Sequence, residues 1–282
     1  MTATLTRIVD LDPFPLPASM LFPGRDLAEL APYRDVLAPD HVDFEAEAIL
    51  LGVQSWLVRS AGLTVLVDTC VGEHKARPAR ADWHQRSATQ YLANLAAAGV
   101  APEEVDVVLC THLHADHVGW NTRLVDGRWV PTFPNARYLI GRTELAHWAA
   151  VNGSNPAGAY ADSVLPVVEA GLVDAVEDGY EIASGLTLMP HPGHTPGQVG
   201  LRFAGPHGPT VICGDAIHSP LQVYRPEWSS GFCVDPGLAI ASRVALLEDA
   251  ADRGTCLLPA HLRRWTGMRI RAEGDAFVPD FL

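Results

Sequence analysis

Residues 105–117 limit what this chain can fold into more than any other stretch. Val105–Cys110 is a short, largely apolar run of strand length. It leads directly into Thr111-His112-Leu113-His114-Ala115-Asp116-His117, with three histidines and an aspartate at the carboxyl end of a buried strand. On extended backbone, residues two apart point the same way, so His112 and His114 can grip one ion together. Asp116 and His117 come after the chain turns and can face a second ion. Imidazole with carboxylate suits Zn(II) and its borderline neighbours.

Two ions need more than four donors. Three further segments run from an apolar, strand-like stretch into histidine or aspartate. Leu186–Met189 leads into Pro190-His191-Pro192-Gly193-His194-Thr195-Pro196-Gly197. Thr210–Cys213 leads into Gly214-Asp215-Ala216-Ile217-His218, and Thr255–Leu258 into Pro259-Ala260-His261. Loops at the same strand ends converge on one crevice.

The remaining pattern is that of sheets covered by helices. Gln54–Arg59 and Leu63–Asp68 flank Ser60-Ala61-Gly62, a hairpin signal. Gln85–Ala98 has apolar residues at helical spacing and stops at Gly99. Asp235-Pro236 opens a helix to about Arg253, with Asp235 as cap, proline in the first turn and Gly254 after the end. The fold class is α/β (α+β). Residues 1–48 hold six prolines and are expected to form an irregular arm, because proline removes a backbone donor and disfavours helix before it. Residues 49–282 then make a single domain. Residues 144–180, rich in Ala, Gly and aromatics, fit neither strand series and are a candidate lid.

Composition excludes several roles. Lys and Arg number 20 against 33 Asp and Glu, a net charge of −13. Nucleic acid and anionic membranes are held by cationic side chains, so neither is an expected partner. No stretch approaches the roughly 20 apolar residues that span a bilayer. Met1–Phe22 has neither the basic start nor the apolar run of a secretory signal. The five cysteines, an odd number without a Cys-x-x-Cys pair, are expected as free thiols in a reducing cytoplasm. A small-molecule substrate is the expected partner.

The order of these motifs resembles the metallo-β-lactamase superfamily over roughly residues 45–265, nearest its quorum-quenching lactonase and methyl parathion hydrolase-like group. The resemblance implies a four-layer αββα sandwich with two divalent metal ions along one edge of the paired sheets, zinc first, with Mn, Fe or Co as alternatives. Carried over position by position, His112, His114 and His194 hold the first ion, Asp116, His117 and His261 hold the second, and Asp215 bridges both. Asp68 matches a strand-end aspartate that orients a ligand. His191 has no assigned role. Two cations about 3.5 Å apart lower the pKa of a bridging water. The implied reaction is therefore hydrolysis by a metal-bridging hydroxide, with Asp116 orienting the nucleophile and passing a proton to the leaving group.

Lactonases of the superfamily carry a tyrosine three positions after the bridging aspartate; here that position is His218, a candidate hydrogen-bond donor to the substrate. The expected substrate is a lactone or carboxylic ester. Organophosphate triester hydrolysis, a glyoxalase II-like thioesterase and a single-iron persulfide dioxygenase-like enzyme are the alternatives. The thioesterases carry a basic helical region after the last ligand, where only residues 262–282 follow His261. The dioxygenases do without His117 and His261 as ligands. A non-catalytic metal-binding module would not need Asp116 in addition to a closed ligand set. Phe14, Phe22, Trp83, Trp120, Trp148, Tyr160, Trp228 and Phe232 are candidate pocket walls. The resemblance also implies a homodimer.

Overall fold

Apolar runs rich in β-branched residues become strands here because such side chains suit a pleated, buried surface. The computed structural model describes residues 2–154, 158–274 and 276–282. Its first strands in chain order are β1 (Thr4–Pro17), β2 (Val42–Asp43), β3 (Ala48–Ser60), β4 (Leu63–Val67), β5 (Val107–Cys110), β6 (Thr122–Val125), β7 (Arg128–Pro131), β8 (Arg137–Gly141) and β9 (Val173–Val176). They are followed by β10 (Glu181–Ala183), β11 (Leu186–Pro190), β12 (Val199–Gly205), β13 (Gly208–Gly214), β14 (Cys256–Pro259), β15 (Met268–Glu273) and β16 (Ala276–Phe281). The chain divides into two units, Met1–Asp10 with Val53–Ser184, and Leu11–Gly52 with Gly185–Leu282. The architecture is mixed α/β with more than one sheet.

In the first unit, β3 turns into β4 through Ala61 and Gly62, whose φ angles of 53° and 80° give the turn that matches strand twist. The sheet then grows by parallel pairing in the order β4-β5-β8-β9. Val67 stands opposite Leu109, Leu109 opposite Leu139 and Ile140 opposite Ala175. A central parallel strand is buried on both faces, which is why Val107-Val108-Leu109-Cys110 is apolar without alternation. Parallel pairing also brings the ends of β4 and β5 to one edge, where the Asp68 N–H donates to the Leu109 carbonyl at 2.8 Å.

In the second unit, β11 to β16 lie in spatial order. The pairs β11–β12 and β12–β13 are antiparallel and β13–β14 is parallel. Strands β11, β13 and β14 therefore end at the same edge, and the loops carrying His194, Asp215 and His261 start there. The helix Pro236–Arg253 begins where Asp235 Oδ1 accepts the Leu238 N–H at 2.9 Å and ends at Gly254, φ 63°. Its Leu246, Leu247 and Ala250 pack on Val211, Leu257, Met268 and Ile270. Burying each large aliphatic side chain contributes about 1.5–3 kcal/mol.

Three sequence expectations change. Thr4–Pro17, expected to be irregular, is an edge strand. Phe14 and Leu16 turn inward while Pro13, Pro15 and Pro17 are exposed, and an edge strand tolerates their missing donors. The helix expected over 85–98 spans only Tyr91–Ala97, because Gln85 and Ala88 have φ of 49° and 54°, outside the helical region. Within 144–180 the chain forms the end of the helix Arg142–Ser154, a π-helical turn Tyr160–Val164, the helix Leu165–Glu169 and β9, so Val173–Val176 does join a strand series. Residues 155–157 of that stretch lie outside the described residues. All five cysteines are free thiols, Cys233 half-buried and the others buried. No helix among the described residues is long and apolar enough to cross a membrane.

Candidate metal centre

In the first unit the donors gather where β5 ends. Leu113 is buried and its neighbours His112 and His114 turn their rings towards each other, with His112 Nε2 3.0 Å from His114 Nδ1. Two imidazole nitrogens on one zinc, each at about 2.0–2.1 Å with a tetrahedral angle, stand about 3.3 Å apart, so this pair fits one ion. The helical turn Ala115–Val118 then brings the His117 ring to 4.0 Å from that of His112, centroid to centroid. Asp116 Oδ2 lies 3.8 Å from His117 Nε2.

Buried groups hold these donors from behind. Asp68, at φ 58°, accepts the Thr111 N–H and the Thr111 hydroxyl, both at 2.8 Å, and its Oδ2 lies 2.9 Å from His117 Nδ1. A ring nitrogen anchored this way leaves Nε2 as the atom that could face a metal. Glu144, fully buried, accepts the Leu113 N–H at 3.0 Å and the Trp148 Nε1–H at 2.7 Å. It thus fixes the residue between the two histidines. Sequence reading missed Glu144, which lies 31 positions from Leu113 and carries no local signal.

Backbone zips the loop after β4 to the motif. Thr69 N–H donates to His117 C=O at 2.7 Å, Gly119 N–H to Cys70 C=O at 2.7 Å, and Trp120 N–H to Thr69 C=O at 2.8 Å. The strands of this zip touch so closely that a Cβ on Gly119 would stand 1.9 Å from the Val71 carbonyl oxygen. Gly119→Ala must displace backbone, and we expect it to cost about 3 kcal/mol or more in urea unfolding. A loss below about 0.5 kcal/mol would show that this packing is loose.

In the second unit, Asp215 stands at the centre. Its Oδ2 is 3.3 Å from His194 Nε2 and 3.4 Å from His218 Nε2, while its Oδ1 is 3.2 Å from His261 Nε2. All four side chains are nearly fully buried. The far nitrogens are anchored again: His261 Nδ1 lies 2.8 Å from the Gly52 carbonyl oxygen and His194 Nδ1 3.5 Å from Cys233 Sγ. Neither partner was legible in the sequence, since one is a backbone carbonyl and the other lies 39 positions away. His218 is held through its N–H, which Gln222 Oε1 accepts at 2.7 Å. Buried His191 stands outside both donor clusters found among the described residues. Desolvation, with Arg202 nearby, pushes its pKa down to about 4, so it is neutral at pH 7.

Of the aromatic candidates, Trp148 and Tyr160 line a cleft beside His114. Its volume is about 340 Å³, and Leu113, Ala115 and Val151 complete its apolar wall. Arg77 borders it with its charge taken up by Asp162, in two hydrogen bonds of 2.7 and 2.8 Å. Trp120 stacks on Tyr91 at 5.4 Å, Phe22 packs on Trp228 at 5.7 Å, and Phe232 is exposed.

Residues 48–261 match the family model described as the metallo-beta-lactamase superfamily. The chain is 32% identical over 200 residues to metallo-beta-lactamase domain-containing protein 1 of Xenopus laevis, covering 71% of this chain and 66% of that one. It is 31% identical over 176 residues to the N-acyl homoserine lactonase AttM of Azorhizobium caulinodans, covering 60% and 63%. A Bacillus N-acyl homoserine lactonase matches at 28% over 151 residues, 53% of each chain. The chain thus spans between half and two thirds of the length of these curated relatives. Among solved structures, the hydrolase AbOPH of the beta lactamase superfamily superposes with a TM-score of 0.77 at 23% identity, covering 98% of this chain and 92% of that one. AidC, a dizinc quorum-quenching lactonase, superposes with a TM-score of 0.77 at 20% identity, covering 98% and 93%. At such identities the structural likeness concerns the fold. The family match covers most of the chain, and this protein belongs to the metallo-beta-lactamase superfamily.

Proposed function

We propose that this protein is a hydrolase of lactones or carboxylic esters that works with two divalent metal ions. His112, His114 and His194 would hold the first ion, Asp116, His117 and His261 the second, and Asp215 would serve both. The observation that carries the reading is the split of the Asp215 carboxylate, one oxygen towards His194 and the other towards His261. A carboxylate that served a single ion, or a plain ion pair, would have no need to divide its oxygens between two imidazoles. The anchored far nitrogens of His117, His194 and His261 support it, since a ligand ring must be fixed in tautomer and direction.

Two divalent cations, when bound, make a water acidic enough to react at neutral pH and polarise an ester carbonyl. The side chains supply the rest. Asp116, half-buried and carried on a helical turn, can accept a proton from the attacking water and return it to the leaving oxygen. His218 can donate from Nε2 to an oxygen of the substrate, the role a phenol would fill in its place. The cleft walled by Trp148 and Tyr160 suits an uncharged apolar arm, because Asp162 already satisfies Arg77. The lactonase relatives act on N-acyl homoserine lactones by name, and a lactone with an apolar acyl arm fits both cleft and donor set.

Steady-state assays on an acylated γ-lactone, an aryl ester, a phosphotriester and a thioester test the reading. Turnover is expected to be fastest on the lactone or the aryl ester. Turnover of the thioester alone, or of none of the four, would contradict it. Trp148→Ala should raise KM for the substrate with the apolar arm by about tenfold, with a smaller change in kcat, because a stacked indole face is lost. An unchanged KM would place the arm elsewhere.

A further inference from the structure

The helix Pro236–Arg253 holds both strand-end loops of the second unit that carry His194 and Asp215. Just before it, Val234 N–H donates to His194 C=O and Asp235 N–H to Gly193 C=O, both at 2.9 Å. Gly193 sits against its first turn so closely that a Cβ there would meet Ala239 N at 2.1 Å. One turn later Ser242 Oγ donates to Pro192 C=O at 2.6 Å. The adjacent Arg243 reaches the other loop. Its Nε donates to Ala216 C=O, the peptide directly after Asp215, at 2.8 Å. Its Nη1 donates to Pro226 C=O at 2.5 Å and Trp228 C=O at 3.1 Å. Gln222 ties the same loop together, donating to Trp228 C=O at 2.8 Å while accepting from His218 N–H.

Arg243 is completely buried. Placing a guanidinium in the interior is costly, and a core helix position facing apolar neighbours could hold leucine instead. Among the described residues its hydrogen bonds all go to carbonyls of one loop rather than to a carboxylate, so its role is to fix that loop's path. The planar fork suits this; a lysine ammonium is a point donor on a flexible stem and cannot span three carbonyls.

The geometry points to Arg243 and Ser242 as positioning residues that set the spacing of His194 against Asp215 from a single helix. The inference rests on the metal-site reading, since it acts through two of the proposed ligands. It is tested on metal-free protein titrated with Zn(II) against a competing chelator, with urea unfolding alongside. Wild type, Arg243→Met, Arg243→Lys, Ser242→Ala and Leu95→Ala are compared; Leu95→Ala removes a buried side chain from the helix Tyr91–Ala97 of the first unit, which belongs to neither loop.

Arg243→Met is expected to weaken zinc binding at least tenfold, Arg243→Lys to fall between it and wild type, and Ser242→Ala to weaken it severalfold while folding normally. Leu95→Ala should lose stability yet keep wild-type zinc affinity. The milder Ser242→Ala and Arg243→Lys keep the test alive should Arg243→Met not fold. Wild-type affinity in Ser242→Ala and in every folded Arg243 variant would overturn the inference while leaving the metal site intact. Equal weakening in Leu95→Ala would reduce Arg243 to general stability. Zinc-free wild type under the same conditions would overturn both the inference and the reading beneath it.

Discussion

Asp116→Ala is expected to lower kcat by about 10²–10⁴-fold, the range for losing a positioned proton-transfer group. Asp116 is carried on the one-turn helix Ala115–Val118, two residues past His114, and keeps partial exposure that His112 and His117 lack. A proton shuttle needs such access to solvent and leaving group. In the proposed assignment Asp116 also serves the second ion, so metal content should fall, but less than in His112→Ala, whose fully buried ring belongs to the first ion. Measured together, kcat and metal content separate the two roles. A variant with wild-type kcat would remove Asp116 from the chemistry. One that lost as much metal as His112→Ala would leave it a ligand only.

The second large effect is expected at a residue with no direct role in the reaction. Asp68 accepts the N–H and hydroxyl of Thr111 and holds His117 Nδ1, at 3% exposure. Asp68→Asn keeps the shape but puts an amide NH₂ where an acceptor is needed, so at least one buried donor faces another. Hydrogen bonds to a charged group contribute about 1.5–3 kcal/mol each, and losing one or two should lower stability by about 2–4 kcal/mol in urea unfolding. Releasing the His117 ring should also weaken zinc binding about 10–100-fold, as for other partners behind metal ligands. A variant that lost stability but bound zinc normally would show that Asp68 supports only the strand edge.

The donor loops were legible in the sequence for a local reason. Each histidine or aspartate of the candidate site lies in the short segment that comes after a strand, and strands whose burial makes them apolar are visible as apolar runs. Thus β4, β5, β11, β13 and β14 lie within a few residues of their expected bounds. The helix from Pro236 was legible because its cap, proline and terminal glycine are all local signals. What the sequence hid depends on long-range contact. The strand β1 was masked by prolines that are harmless only on an exposed edge. Gln85 and Ala88 take left-handed backbone conformations, which neither residue type announces. Glu144 acts on Leu113, Cys233 on His194, the Gly52 carbonyl on His261 and Arg243 on Ala216, each across at least 27 positions. Spacing rules do not reach that far.

The central claim is that the donor set works as a pair of metal sites in a hydrolase. Elemental analysis of the purified protein, run beside the hydrolysis of an acylated γ-lactone and an aryl ester, tests it most directly. The account predicts about two divalent ions per chain, the number a two-metal hydrolytic site requires. It also predicts turnover that disappears on chelation and returns when Zn(II) is restored. A single iron per chain, with oxygen uptake and no hydrolysis, would contradict it.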